Sequence, residues 1–153
     1  MPTTVRPTGA RTPAQVDPRG PRFAATLTTV LLAVALLVAP STGTVVLLAV
    51  QAVLFGIGAV AGVARTPYSW LFRTFVRPRL GPPAELEDAA PPRFAQTVGL
   101  GFTIVALGGY LAGLDLLGAV ATGFALAAAF LNAAFGLCLG CEVYLLARRA
   151  TTH

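Results

Sequence analysis

Lysine is missing from this chain altogether, and histidine occurs once, at the last position, His153. There are two cysteines in 153 residues. Charge of either sign is scarce, at 11% of residues, against about 25% in ordinary soluble domains. Each absence excludes something. One terminal His leaves no histidine-based triad and no zinc cluster within the apolar segments, so no metal and no cofactor are expected. Two cysteines cannot build a disulfide-rich secreted scaffold. So little charge cannot cover the surface of a soluble domain. A hydrophobic content of 56% is the reverse of a disordered chain. No phosphate loop, nucleophile elbow or zincin motif occurs. A small integral membrane protein remains.

What charge there is has a pattern. The net charge is +5, and all eleven basic residues are Arg. Four precede the first apolar run (Arg6, Arg11, Arg19, Arg22). Five lie in one central loop (Arg65, Arg73, Arg77, Arg79, Arg93). Arg148 and Arg149 follow the last run. None interrupts an apolar run. This is the distribution of the positive-inside rule rather than of a nucleic-acid surface, so the expected partner is a lipid bilayer and not nucleic acid.

Four apolar runs are readable, at residues 23–39, 45–63, 94–114 and from 116 through 141 toward 147. The first would span about 25 Å as a helix, near the short limit for a bilayer. The connections at 40–44 and at Asp115 are short and carry no Arg, so the runs pair as two hairpins. The Arg-bearing segments lie on the other side. The expected placement is an inner membrane with both termini cytoplasmic. A signal peptide is the weaker reading of the first run, because Leu37-Val38-Ala39 is a poor cleavage site.

The chain repeats itself. Residues 17–26 and 88–97 share the pattern D-x-x-x-P-R-F-A-x-T at an offset of 71. Each copy precedes a hairpin. Pro suits a first helical turn, and Arg22 and Arg93 suit interfacial anchors beside anionic lipid. Runs two and four also share G-x-x-x-G, as Gly58/Gly62 and Gly136/Gly140, read as close helix-packing positions. Aligning Phe55-Gly56 with Phe135-Gly136 is the competing register. The expected fold class is an all-α membrane protein. Four transmembrane helices form two tandem hairpin repeats, with a short interfacial amphipathic helix between them. The expected division is a disordered tail over 1–16, a transmembrane domain over 17–147 and a C-terminal tail over 148–153. Within the domain, repeats 17–63 and 93–147 flank a connector at 64–92.

In the connector, Trp70, Phe72, Phe75 and Val76 surround Arg73 and Arg77, four residues apart. That predicts the amphipathic interfacial helix, ended by Pro78. The acidic, Pro-rich residues after it read as a solvated connector or a docking surface.

One constellation suggests chemistry. Both cysteines fall three apart, as Cys138 and Cys141, with Glu142 attached and read as the one acidic residue inside a span. On a continuous helix at about 100° per residue, Gly136 and Gly140 share one face and Cys138, Cys141 and Glu142 the opposite one. An intramembrane carboxylate suggests function, although Glu142 could instead pair with Arg22, Arg93 or Arg148. Thiol–disulfide exchange assisted by Glu142 is one reading of the C-x-x-C. Against it, a continuous helix puts the thiols near a C-terminus, away from the donors that favour a thiolate. Unwinding at Gly136 or Gly140 would reverse that. A non-catalytic scaffold or assembly factor and a small transporter subunit stay open as alternatives, as does a homo-oligomer.

The stretches DPRGPRFAA (17–25), PYSWLFRTFVRPRLGPP (67–83), PPRFAQ (91–96) and FGLCLGCEVY (135–144) resemble the bacterial integral-membrane family described as domain of unknown function 4395, common in actinobacteria. The resemblance covers roughly residues 15–147. It implies a multi-span protein with no assigned activity. It further implies genes lying near those of thioredoxin-like and sulfurtransferase-like proteins, a gene association that favours a sulfur role for Cys138 and Cys141.

Overall fold

The structure is a computed structural model, and it describes residues 14–152. Two-residue strands β1 (Gln15–Val16) and β2 (Glu87–Asp88) accompany seven helices: α1 (Arg19–Leu37), α2 (Thr42–Val60), α3 (Pro67–Leu71), α4 (Arg77–Leu80), α5 (Ala90–Leu111), α6 (Asp115–Phe135) and α7 (Leu139–Thr151). Helices α1, α2, α5 and α6 are long and apolar enough to cross a membrane. The fold is an all-α membrane protein.

The spans bury little of themselves. Between 17 and 28% of each most apolar window is inside the protein. Leu37 and Leu116 are 84% and 79% exposed. Such a surface is stable only against lipid. The interior is narrow, built on Leu32, Ala35, Leu48, Ala106, Ala121 and Ala125. Helix α1 packs on α6, and α2 on α5, while α5 and α6 meet along their hairpin. Small residues permit these approaches. A Cβ on Gly99 would lie 2.8 Å from the Phe55 ring, and one on Gly109 would lie 2.8 Å from the Gly118 nitrogen. Buried hydroxyls return to their own helices, Thr103 to the Gly99 carbonyl and Thr122 to the Gly118 carbonyl, both at 2.7 Å.

Both short hairpin connections are locked by local bonds. Ser41 Oγ accepts from the Thr44 N–H at 3.2 Å, capping α2. Thr44 Oγ1 then donates to the Ala35 carbonyl at 2.9 Å, tying α2 to α1. In the second hairpin the Leu114 N–H donates to the Gly109 carbonyl at 2.8 Å, across Gly113 at φ +77°.

At the opposite end the two halves make matching contacts. The Phe23 and Phe72 rings lie 5.8 Å apart at 44°, and the Phe94 and Tyr144 rings lie 5.7 Å apart at 45°. Thr26 Oγ1 donates to the Arg22 carbonyl, and Thr97 Oγ1 to the Arg93 carbonyl. Strands β1 and β2, each leading into one copy, pair antiparallel.

The continuity of the fourth run, which the sequence left open, is decided by a break: α6 stops at Phe135, Gly136 turns left-handed at φ +68°, and α7 starts afresh at Leu139. Glycine takes that conformation without a Cβ penalty, which makes it a natural helix stop. The connector helix does not end at Pro78. A π-helical turn over Phe72–Val76 leads into α4, which Gly81 ends at φ +76°. Pro78 has no N–H to donate, so it falls in the first turn of α4, where none is needed. Within the stretch 1–16 expected as a tail, Gln15 and Val16 pair with Asp88 and Glu87. Residues 1–13, with Arg6 and Arg11, and His153 lie outside the described residues.

Candidate functional site

Because α6 breaks, the two cysteines stand at a helix start. Cys138 is the N-cap of α7, and its Sγ accepts from the Cys141 N–H at 3.3 Å. The two sulfurs form a disulfide, with Cα atoms 5.2 Å apart. The Glu142 N–H donates to the Cys138 carbonyl at 3.0 Å. Glu142 lies in the first turn of α7, and Arg148 and Arg149 in its last. That charge order complements the helix dipole.

The objection raised by a continuous helix is therefore removed. Gly136 is outside both helices, so there is no shared glycine face opposite the thiols. At the N-cap, Cys138 faces backbone donors that no carbonyl occupies. Glu142 is an exposed residue of α7, outside the four helices long and apolar enough to cross a membrane. Among the described residues it forms no ion pair, and the one pair present joins Arg19 to Asp17 at 2.8 Å. That bond from Arg19 holds the Asp17 carboxyl below its ordinary range, against a smaller opposing effect of burial.

The disulfide lines a cleft of about 620 Å³ together with Arg22, Asp88, Asn132 and Glu142. Asp88 caps α5, accepting from the Ala90 N–H at 2.9 Å. No three His, Cys, Asp or Glu side chains converge as a metal site among the described residues. Behind the first turn of α7, an apolar cavity of about 310 Å³ runs between the spans, lined by Phe55, Phe102, Phe124, Leu139 and Gly140.

The other predicted residues divide. Gly58 and Gly140 do stand in close contacts: a Cβ would lie 2.5 Å from Gln96 Oε1 and 2.7 Å from Ala95 Cα respectively. Gly62 and Gly136 do not, because both have positive φ and end helices instead. Their partners fix the register. Arg22 donates from Nε and Nη2 to the carbonyls of Ala133 and Ala134, both at 3.1 Å. Arg93 donates to the carbonyls of Ala59 and Val60 at 2.8 and 2.7 Å. So Gly62 corresponds to Gly136, and neither alignment read from the glycine spacing holds.

Arg22 and Arg93 are thus bound to helix ends, and among the described residues neither pairs with Glu142. Arg148 lies over the Tyr144 ring at 6.0 Å. Arg73 and Arg77 line a smaller cleft of about 150 Å³ with Asp17 and Ser69. Trp70 is exposed and meets Phe75 edge-on, while Phe72 is buried.

Sequence reasoning missed Tyr68, whose hydroxyl donates to Gln51 Oε1 at 3.0 Å. Gln51 is 1% exposed, and burial pushes the Tyr68 phenol up from its ordinary value. The polar Gln51 within an apolar run was the available signal.

The model of a family described as a domain of unknown function, DUF4395, matches residues 16–149, almost the whole chain. The chain belongs to the DUF4395 family. No curated protein and no solved structure matches it. Within this DUF4395 chain the C-x-x-C disulfide holds both cysteines of the sequence.

Proposed function

We propose that this DUF4395 protein is a membrane-held thiol–disulfide component, in which Cys138 and Cys141 cycle between disulfide and dithiol. The observation that carries the reading is the C-x-x-C disulfide on the first turn of α7, facing an open cleft with charged walls. The spacing of Arg residues supports an inner-membrane protein with this cleft and both termini on the cytoplasmic side. That compartment keeps thiols reduced, and disulfides found there are usually catalytic or redox-sensing.

The partner is a dithiol protein of thioredoxin-like or sulfurtransferase-like kind, approaching the Arg-bearing end. Its thiolate attacks one sulfur of the pair, the Cys138–Cys141 bond breaks, and a mixed disulfide forms. The partner's second thiol then displaces the cysteine. Two electrons and two protons have moved from the partner's dithiol to this pair, and the partner leaves as a disulfide. The reverse sequence reoxidises Cys138 and Cys141. Glu142, one residue beyond Cys141, serves as the proton acceptor and donor.

The test is a redox titration by thiol alkylation in native membranes, paired with growth under disulfide stress and on thiosulfate. The reading expects a reversible two-electron transition. It also expects a growth defect when both cysteines are replaced by Ser at normal protein levels. A pair that stays oxidised throughout, with unchanged growth of the double variant, would instead mark a structural staple on a non-catalytic scaffold.

A further inference from the structure

The thiol site stands on a scaffold that occurs twice. Arg22, at the start of α1, closes the end of α6, and Arg93, at the start of α5, closes the end of α2. Each closed helix is followed by a positive-φ glycine, Gly136 or Gly62. A new α-helix follows in each half, α7 close after Gly136 and α3 after Gly62 and a 3-10 turn over Val63–Arg65, and its N-cap side chain accepts from the N–H three residues on. In one half Cys138 accepts from Cys141 at 3.3 Å; in the other, Thr66 accepts from Ser69 at 3.2 Å. The final carbonyls of an α-helix have no partner within it. The simplest internal way to satisfy them is to continue the helix. A guanidinium that occupies two of them removes the need.

We propose that Arg22 is a positioning residue for the Cys138–Cys141 pair: by bridging the carbonyls of Ala133 and Ala134 it holds α6 closed at Phe135, and so keeps Cys138 at the N-cap of α7. This rests on the thiol–disulfide reading above. In a continuous helix the N–H groups around Cys138 would be spent on carbonyls four residues back. At the N-cap they remain available to the sulfur, and the reduced pair reacts through Cys138. Arg22 also lines the same cleft as both sulfurs; the other charged groups there are Arg19, Glu87, Asp88 and Glu142. Arg19 is already held by Asp17. Arg93 performs the same closure beside hydroxyls, so it serves as the internal control for a purely structural effect.

The experiment uses the full chain in lipid nanodiscs, reduced with dithiothreitol and freed of it. Iodoacetamide alkylation of Cys138 is then followed by mass spectrometry across pH 5 to about 10, the range in which protein thiols ionise. Arg22→Gln is expected to raise the pH midpoint of alkylation by about one unit, which slows alkylation near neutral pH about tenfold. Arg93→Gln is expected to lower thermal stability comparably while leaving that midpoint in place. Arg22→Lys keeps a cation but loses the rigid planar fork that matches two adjacent carbonyls, so its midpoint should fall between those of the parent and the Gln variant. It also serves if Arg22→Gln does not accumulate. Unshifted midpoints in the Arg22 variants, or an equal shift in Arg93→Gln, would overturn the proposal. Failure of the thiol–disulfide reading is read separately: the parent pair would not equilibrate with a glutathione redox buffer, whatever Arg22 does.

Discussion

Replacing Gly136 by Ala tests whether the break before the disulfide governs the site. Gly136 lies at φ +68°, and an added Cβ would meet only Arg22 Nη1, at 3.9 Å. The substitution therefore adds backbone strain without a clash. Left-handed backbone costs an L residue about 1–2 kcal/mol. Alanine also gains about 1 kcal/mol over glycine inside a helix, so both effects favour running α6 on through the break. The strain has two outlets. If the break persists, the variant unfolds earlier, with a folded-to-unfolded ratio lowered about 5- to 30-fold. If α6 continues, Cys138 leaves the N-cap and its alkylation slows. Asn accepts the left-handed region more readily, so Gly136→Asn should stay closer to the parent in both measurements. The assay pairs thermal unfolding in detergent with Cys138 alkylation of the reduced protein. Ala and Asn variants that match the parent in both would refute the argument, because no outlet would then be carrying the strain.

Two further outcomes follow from the same geometry. The double variant Thr66→Cys/Ser69→Cys should form a second disulfide, detected as two fewer alkylatable thiols under non-reducing conditions, because Thr66 caps its helix as Cys138 does. Gly99→Val should lower stability by about 1–3 kcal/mol through overpacking, since even a Cβ there would sit 2.8 Å from the Phe55 ring. The measurement is a thermal unfolding midpoint against the parent, with Gly101→Val, whose site is open, as control.

The spans were legible because a bilayer demands long apolar runs, and long runs survive any detail of packing. The hairpins were legible from short connections at residues 40–44 and Asp115. The break in the fourth run was harder to see. Residues 136–141 are apolar enough to extend a helix, and the glycines there fit a packing motif as well as a stop. What decides is Arg22, more than a hundred residues away, which no local pattern links to Ala133 and Ala134. The same distance hid the roles of Gly62 and Arg93. Periodicity also fails at Phe72–Val76, where a π-helical turn shifts the register that would place Arg73 and Arg77 on one side.

The repeated Pro-Arg-Phe therefore has a sharper meaning than attachment to lipid. Its Phe packs against the short helix of its own half, Phe23 on Phe72 and Phe94 on Tyr144. Its Arg reaches across to close the spanning helix of the other half. One tripeptide thus ties each hairpin both to itself and to its partner. Breaking either Arg bridge leaves the ring contact in place and the reverse also holds, so the two ties can be separated by mutation. Since both halves carry the ties and only one carries thiols, the scaffold is a requirement of the fold, and the proposed chemistry depends on which side chains occupy the N-cap and the position three residues beyond it.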